Sequence, residues 1–141
     1  VRRNSITKYM KKTITTSKAP AAPKLLSQAI LESSKYRLEI SGQVGISVDT
    51  GKLVEGGIEA ETKQTFDNIE AILSEIGWTF DNLTKVRIYL VDMAEYAKVN
   101  EIYITKFKDV LPTRIALAVQ ALPLGARIEI ECVAAGDEIK E

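Results

Sequence analysis

Arg114, in the run Pro112-Thr113-Arg114, and the pair Glu129 and Glu131 are the residues best suited by type and spacing to act on a small molecule. A guanidinium matches a carboxylate with two parallel hydrogen bonds, so Arg114 can hold an anion. It can equally be a surface arginine paired with a nearby Glu. Glu129 and Glu131 lie two apart on a predicted strand and point the same way. A carboxylate beside bound water can place it or accept its proton; the same pattern also serves as edge charge against aggregation. The chain has no histidine, which excludes a Ser-His-Asp triad, a Cys-His pair and a histidine metal site. Acid–base chemistry falls to carboxylates, Lys, Tyr, backbone groups or water. Cys132 is the only cysteine, so there is no intrachain disulfide and no CxxC zinc site. Strand alternation predicts Cys132 in the core. Gly51-Lys52 lacks the upstream glycine of a phosphate loop and reads as a turn.

The elements that position these residues come from hydrophobic period. Extended segments are expected near Leu25–Ile30 and Tyr36–Val44, joined as a hairpin through Glu32–Lys35. An amphipathic helix is predicted from about Ile58 to Ile76, with Phe66, Ile69, Leu73 and Ile76 in one stripe and Gly77 as its left-handed cap. A strand follows at Lys85–Val91. A second helix starts at Asp92, with Glu95 in a capping box, and runs to Lys108 through Met93, Tyr96, Val99, Tyr103 and Phe107. These tyrosines read as packing residues. Strands at Arg114–Ala121 and Ala126–Ala134 close the chain. The fold class is α+β, a single sheet with two helices on one face. Leu38, Ile40, Val86, Ile88, Leu90, Ile115, Leu117, Val119, Ile128, Ile130 and Cys132 are expected to face the helices. Arg114, Ala116, Glu129 and Glu131 are expected together on the second, polar face.

The chain has 141 residues, one domain's worth. Nineteen Lys+Arg balance nineteen Asp+Glu, which argues against an electrostatic grip on nucleic acid. No apolar run is long enough to span a membrane. Residues 1–11, the first nine of which carry Arg2, Arg3 and Lys8, lack the apolar stretch of a secretory signal. They read as a flexible extension, a remnant of expression or targeting with Met10 as a natural start, ahead of a single domain over 12–141. The expected compartment is cytoplasmic, or mitochondrial if the extension is a targeting remnant.

Further motifs bring a family into view. Ser41-Gly42-Gln43-Val44-Gly45 with Asp49-Thr50-Gly51, Gln64-Thr65 with Asn68-Ile69, Val99-Asn100-Glu101-Ile102-Tyr103, and Pro112-Thr113-Arg114 with Ile128-Glu129-Ile130-Glu131 resemble the Rid family, the YjgF-type reactive intermediate deaminases. The likeness runs from about Lys12 to Ala135. It implies a chorismate-mutase-like fold and a homotrimer whose sheets form a central barrel with three clefts between subunits. It also implies hydrolysis of reactive 2-imino acids and their enamines to 2-oxo acids and ammonia, which limits metabolite damage, with no cofactor and no metal. By the same resemblance Arg114 binds the substrate carboxylate, Glu129 positions the attacking water, Ser41 and Asn100 are polar residues of the cleft, and Gly42 allows close backbone approach. Ala116 stands two residues after the arginine, where many members have cysteine. Leu26, in Leu25-Leu26-Ser27-Gln28-Ala29, replaces a family tyrosine, so a phenolic hydrogen bond is lost. With Ala116, it predicts room for a bulkier imine. The alternative is a non-catalytic Rid-type protein that binds small carboxylates or regulates a partner enzyme. Family members have also been called translation inhibitors and chaperones, but the neutral charge and the lack of an aromatic-basic patch disfavour an RNA binder.

Overall fold

The computed structural model describes residues 10–141. Six strands and two helices occur among them. The strands are β1 (Met10–Ile14), β2 (Ala29–Ser33), β3 (Tyr36–Gln43), β4 (Leu83–Leu90), β5 (Thr113–Ala118) and β6 (Ile128–Gly136); the helices are α1 (Gly57–Ser74) and α2 (Tyr96–Tyr103). The main sheet has the order β3-β6-β4-β5, and β1 pairs with β2 in a separate ladder. β6 is antiparallel to both β3 and β4, whereas β5 runs parallel to β4. That parallel step requires a crossover, and α2 supplies it. The α+β class with two helices and mixed sheets is therefore the observed one.

α1 forms because its stripe is apolar at helical spacing: Phe66, Ile69 and Leu73 are fully buried. Gly77 stops it. At φ 76° its N–H donates to the Ser74 carbonyl, and the next N–H, of Trp78, reaches back to Leu73. These bonds satisfy carbonyls that the helix end leaves open. Against this stripe lie Val86, Ile88 and Leu90 of β4 and Ile128 and Ile130 of β6, all fully buried. Val99 and Tyr103 complete the core from α2. Cys132 is buried in it as expected, and burial pushes its thiol pKa up to about 12.

Three expectations need correction. The hairpin through Glu32–Lys35 does not form: β2 pairs with β1 and β3 pairs with β6. The segment Met10-Lys-Lys-Thr-Ile is too polar to announce itself as a strand. It is nevertheless tied down, because Lys11 Nζ donates to the carbonyls of Asp81 (2.8 Å) and Leu83 (2.9 Å). Met10 and Lys11, assigned by sequence to the N-terminal extension, thus open β1; residues 1–9 lie outside the described residues.

Secondly, Asp92 caps the turn Met93–Glu95 by accepting from Ala94 N–H at 2.9 Å, but Glu95 does not close a capping box. Its carboxylate instead meets Arg127 Nη1 at 3.0 Å. The helix itself ends at Tyr103 and continues as a tighter 3-10 turn to Lys106.

The third correction matters most. The faces of β5 are the reverse of those expected. Arg114 and Ala116 align with Val86 and Ile88, on the helix side of the sheet, and Ile115 is turned outward, 47% exposed. Counting apolar residues put Ile115 and Leu117 inside. The small Ala116 and the long aliphatic stem of Arg114 fill the space under α2 instead, and the isoleucine faces away.

Candidate active site

The inverted β5 carries Arg114 under α2. Tyr96, Asn100 and Tyr103 stand four and three residues apart and so share one face of that helix. Arg114 Nη2 donates to Asn100 Oδ1 at 2.6 Å and to Tyr96 Oη at 3.0 Å. The guanidinium carbon lies 4.7 Å from the Tyr103 ring centroid and 5.4 Å from that of Tyr96, within cation–π range. Tyr103 packs in turn on Phe66 and Phe107. Burial raises its phenol pKa well above the ordinary value, against a smaller opposing pull from Arg114.

The backbone before the arginine is also secured. Thr113 Oγ1 donates to the Thr84 carbonyl at 2.7 Å. Ser27 donates twice, through Oγ to Leu111 and through its N–H to Pro112. Leu26, beside it, lines a cavity of about 270 Å³ together with Thr13, Pro23 and Leu111. The phenols that touch Arg114 thus come from α2 rather than from position 26.

Two features set Arg114 apart from a surface ion pair. It forms no ion pair among the described residues, in contrast to Arg37, Arg87 and Arg127. Its Nη1 is buried and has no hydrogen-bond partner. A cation withdrawn from water and given only neutral partners is an incomplete electrostatic arrangement. One negative charge beside it would balance the arrangement.

The second cluster lies on the other face of the sheet. The β3–β6 register passes from Ile40↔Cys132 to Gln43↔Ile130, so Ser41 and Gly42 together oppose Glu131. This is a β-bulge, which re-aims the strand. At Gly42 a Cβ would sit 2.9 Å from Glu129 Cδ. Only glycine lets the Glu129 carboxyl lie over the backbone here. Next to it the Tyr89 hydroxyl donates to Glu131 Oε1 at 2.5 Å, which raises the Tyr89 pKa. Arg87 stands 3.5 Å from the same oxygen. Glu131 is thus engaged, while Glu129 forms no ion pair among the described residues.

The expected site residues therefore fall into two groups. Arg114, Asn100 and Ala116 are on the helix side, with Ala116 packed against the core. Ser41, Gly42 and Glu129 are on the opposite side. Glu129 pairs with Tyr89, which pairs with Leu117. It is thus offset from Arg114 by three residues along the strands, about 10 Å, and by two strand spacings, about 10 Å across. One small molecule in a single chain cannot bridge them through the sheet. Sequence reasoning missed Tyr96 and Tyr103 as arginine partners. The signal was their helical spacing from Asn100, which also fits plain packing.

Residues 16–136 match the family model described as endoribonuclease L-PSP. The chain is 45% identical over 125 residues to the rat (Rattus norvegicus) protein named 2-iminobutanoate/2-iminopropanoate deaminase, covering 89% of this chain and 90% of that one. The human protein of the same name is 43% identical over the same shares. Among solved structures, the conserved Rid family protein YyfB from Yersinia pestis superposes with a TM-score of 0.80 at 29% identity, covering 89% of this chain and 98% of the other.

Proposed function

We propose, from the premise that this chain belongs to the Rid family, whose sequence model carries the description endoribonuclease L-PSP, that it is a deaminase of 2-imino acids acting in clefts between copies of itself. The observation that carries the reading is the half-buried Arg114, whose cation has neutral partners only and one unpartnered nitrogen. A 2-imino acid supplies the missing carboxylate. The names of the rat and human relatives support the imine as the group to be hydrolysed.

Arg114 holds the substrate carboxylate and Asn100 holds Arg114. Glu129 of a second copy, with Ser41 and Gly42 beside it, orients a water molecule toward the imine carbon. Water adds to the protonated C=N carbon to give a carbinolamine. The proton that the water loses passes to the Glu129 carboxylate and returns to the carbinolamine nitrogen; the C–N bond then breaks, ammonia leaves with the bonding pair, and the hydroxyl gives its proton to solvent as the 2-oxo acid forms. An iminium carbon is already electrophilic, so fixing the carboxylate and aiming one water supplies much of the acceleration. Two copies are required because Arg114 and Glu129 occupy opposite faces of one sheet. A homotrimer meets that need, with the outward Ile115 covered between chains.

The test is a coupled assay in which an amino acid oxidase or dehydratase generates imines in the presence of semicarbazide. The protein lowers semicarbazone formation and Arg114→Ala does not. A folded wild type without effect across several amino acids would instead leave a carboxylate-binding or regulatory protein. Comparing branched-chain with small imines then tests whether Leu26 and Ala116 favour bulkier side chains.

A further inference from the structure

We infer that Tyr96 is a ligand-contacting residue, whose phenolic hydrogen is the second donor to the anion bound at Arg114. The inference rests on the reading of Arg114 as an anion site and adds a specific atom to it. A tyrosine hydroxyl has one hydrogen to give and lone pairs to accept. Here Tyr96 Oη accepts from Arg114 Nη2, and among the described residues no group accepts the Tyr96 hydrogen in return. Nη2 carries two hydrogens, and Tyr96 and Asn100 take both. An anion that approaches this end of the guanidinium therefore finds both Nη2 hydrogens engaged and meets the Tyr96 hydroxyl in their place. The hydroxyl is a good donor for the purpose, because accepting from a cation polarises it. Of the two phenols against the arginine, only this one can be reached. Tyr96 is half-buried, whereas Tyr103 is fully buried. Neither a packing stripe nor a cation–π contact needs a hydroxyl at position 96; a phenylalanine would serve both.

The test measures binding of 2-oxobutanoate, a stable monocarboxylate, by titration calorimetry at mildly acidic pH, where phenols are neutral. Wild type, Tyr96→Phe, Arg114→Ala and a chain with 3-fluorotyrosine at position 96 are compared, each checked for its melting temperature. Tyr96→Phe is expected to bind about tenfold more weakly, the effect of one lost hydrogen bond to a charged group. Fluorotyrosine, a stronger donor and a weaker acceptor, is expected to bind about two- to threefold more tightly. Weaker binding by the fluorotyrosine chain overturns the inference, since the hydroxyl then only accepts from Arg114. Unchanged binding by Tyr96→Phe, with binding lost in Arg114→Ala, also overturns it and leaves the anion site standing. Absence of binding by the wild type overturns both.

Discussion

Arg114 is held from several sides before any ligand arrives, whereas the neighbourhood of Glu129 is shaped by what has been left out. The arginine lies against two tyrosine rings, bonds to Asn100 and Tyr96, and sits on backbone fastened by Thr113 and Ser27. The glutamate lies over a glycine in a bulge, on the polar face, and makes no ion pair among the described residues. One half of the site is rigid because it grows out of the core. The other is open, and the proposed function places its counterpart on another chain. Fixed groups bind at low entropic cost. The proposed function therefore assigns affinity to the arginine half and the placing of water to the glutamate half.

The sharpest break is to remove each half in turn. Arg114→Ala should lower kcat/KM at least about 100-fold, the loss of roughly 3 kcal/mol of charge-assisted bonding, and should abolish 2-oxobutanoate binding. Glu129→Gln should cost a similar factor in turnover while binding survives. Mixing the two inactive chains, unfolding them together and refolding, tests the division itself. In a trimer whose sites each take Arg114 from one chain and Glu129 from the next, about a quarter of the sites regain both residues. Recovery of turnover to that level supports sites shared between chains. No recovery, with mixed trimers verified by mass, would place both residues in one chain's site and refute the division.

Gly42→Ala is next in size. Its methyl would stand 2.9 Å from the Glu129 carboxyl carbon, so the carboxylate has to move. A displacement near 1 Å is expected to lower kcat about 10- to 100-fold. The melting temperature should stay close to wild type, because Gly42 is exposed and its φ is not among the positive ones. Calorimetry should show carboxylate binding intact. If binding falls as much as turnover, the two halves are not functionally separate.

The same division explains what the sequence made legible. α1, β4, β6 and the core positions Phe66, Ile69, Leu73, Ile128 and Ile130 follow from local period, and the structure agrees. The glutamate half was legible as well: Gly42 and Glu129 carry a family motif, and alternation put Glu129 on the polar face. The arginine half was legible by name but not by place. Alternation alone cannot say which face of an edge strand such as β5 is inward when Ile115 and Leu117 are the larger residues. In β5 the outer face is apolar too, since Ile115 stands exposed on it. β1 escaped notice for a related reason: its pairing depends on β2 and on the Lys11 anchor, not on its own pattern.

The smallest effect separates the two phenols of the arginine cage. Tyr103 contributes its ring to Arg114 and to the aromatic cluster with Phe66 and Phe107, but its hydroxyl is buried without a partner. A buried polar group left unpaired costs stability, so Tyr103→Phe removes a liability and keeps the ring. The variant should be more stable by about 1 kcal/mol, a rise of roughly 3–5 °C in melting temperature for a domain of this size. Binding of 2-oxobutanoate should stay within about twofold of wild type, since the cation–π contact survives. Tyr96→Phe should do the opposite, weakening binding with little change in melting temperature, because its hydroxyl is directed at ligand rather than at core. Loss of stability in Tyr103→Phe would mean that the hydroxyl has a partner, a buried water included. The interior of the cage would then be wet, and the rigidity assigned to the arginine half would rest on that water as well as on the two rings.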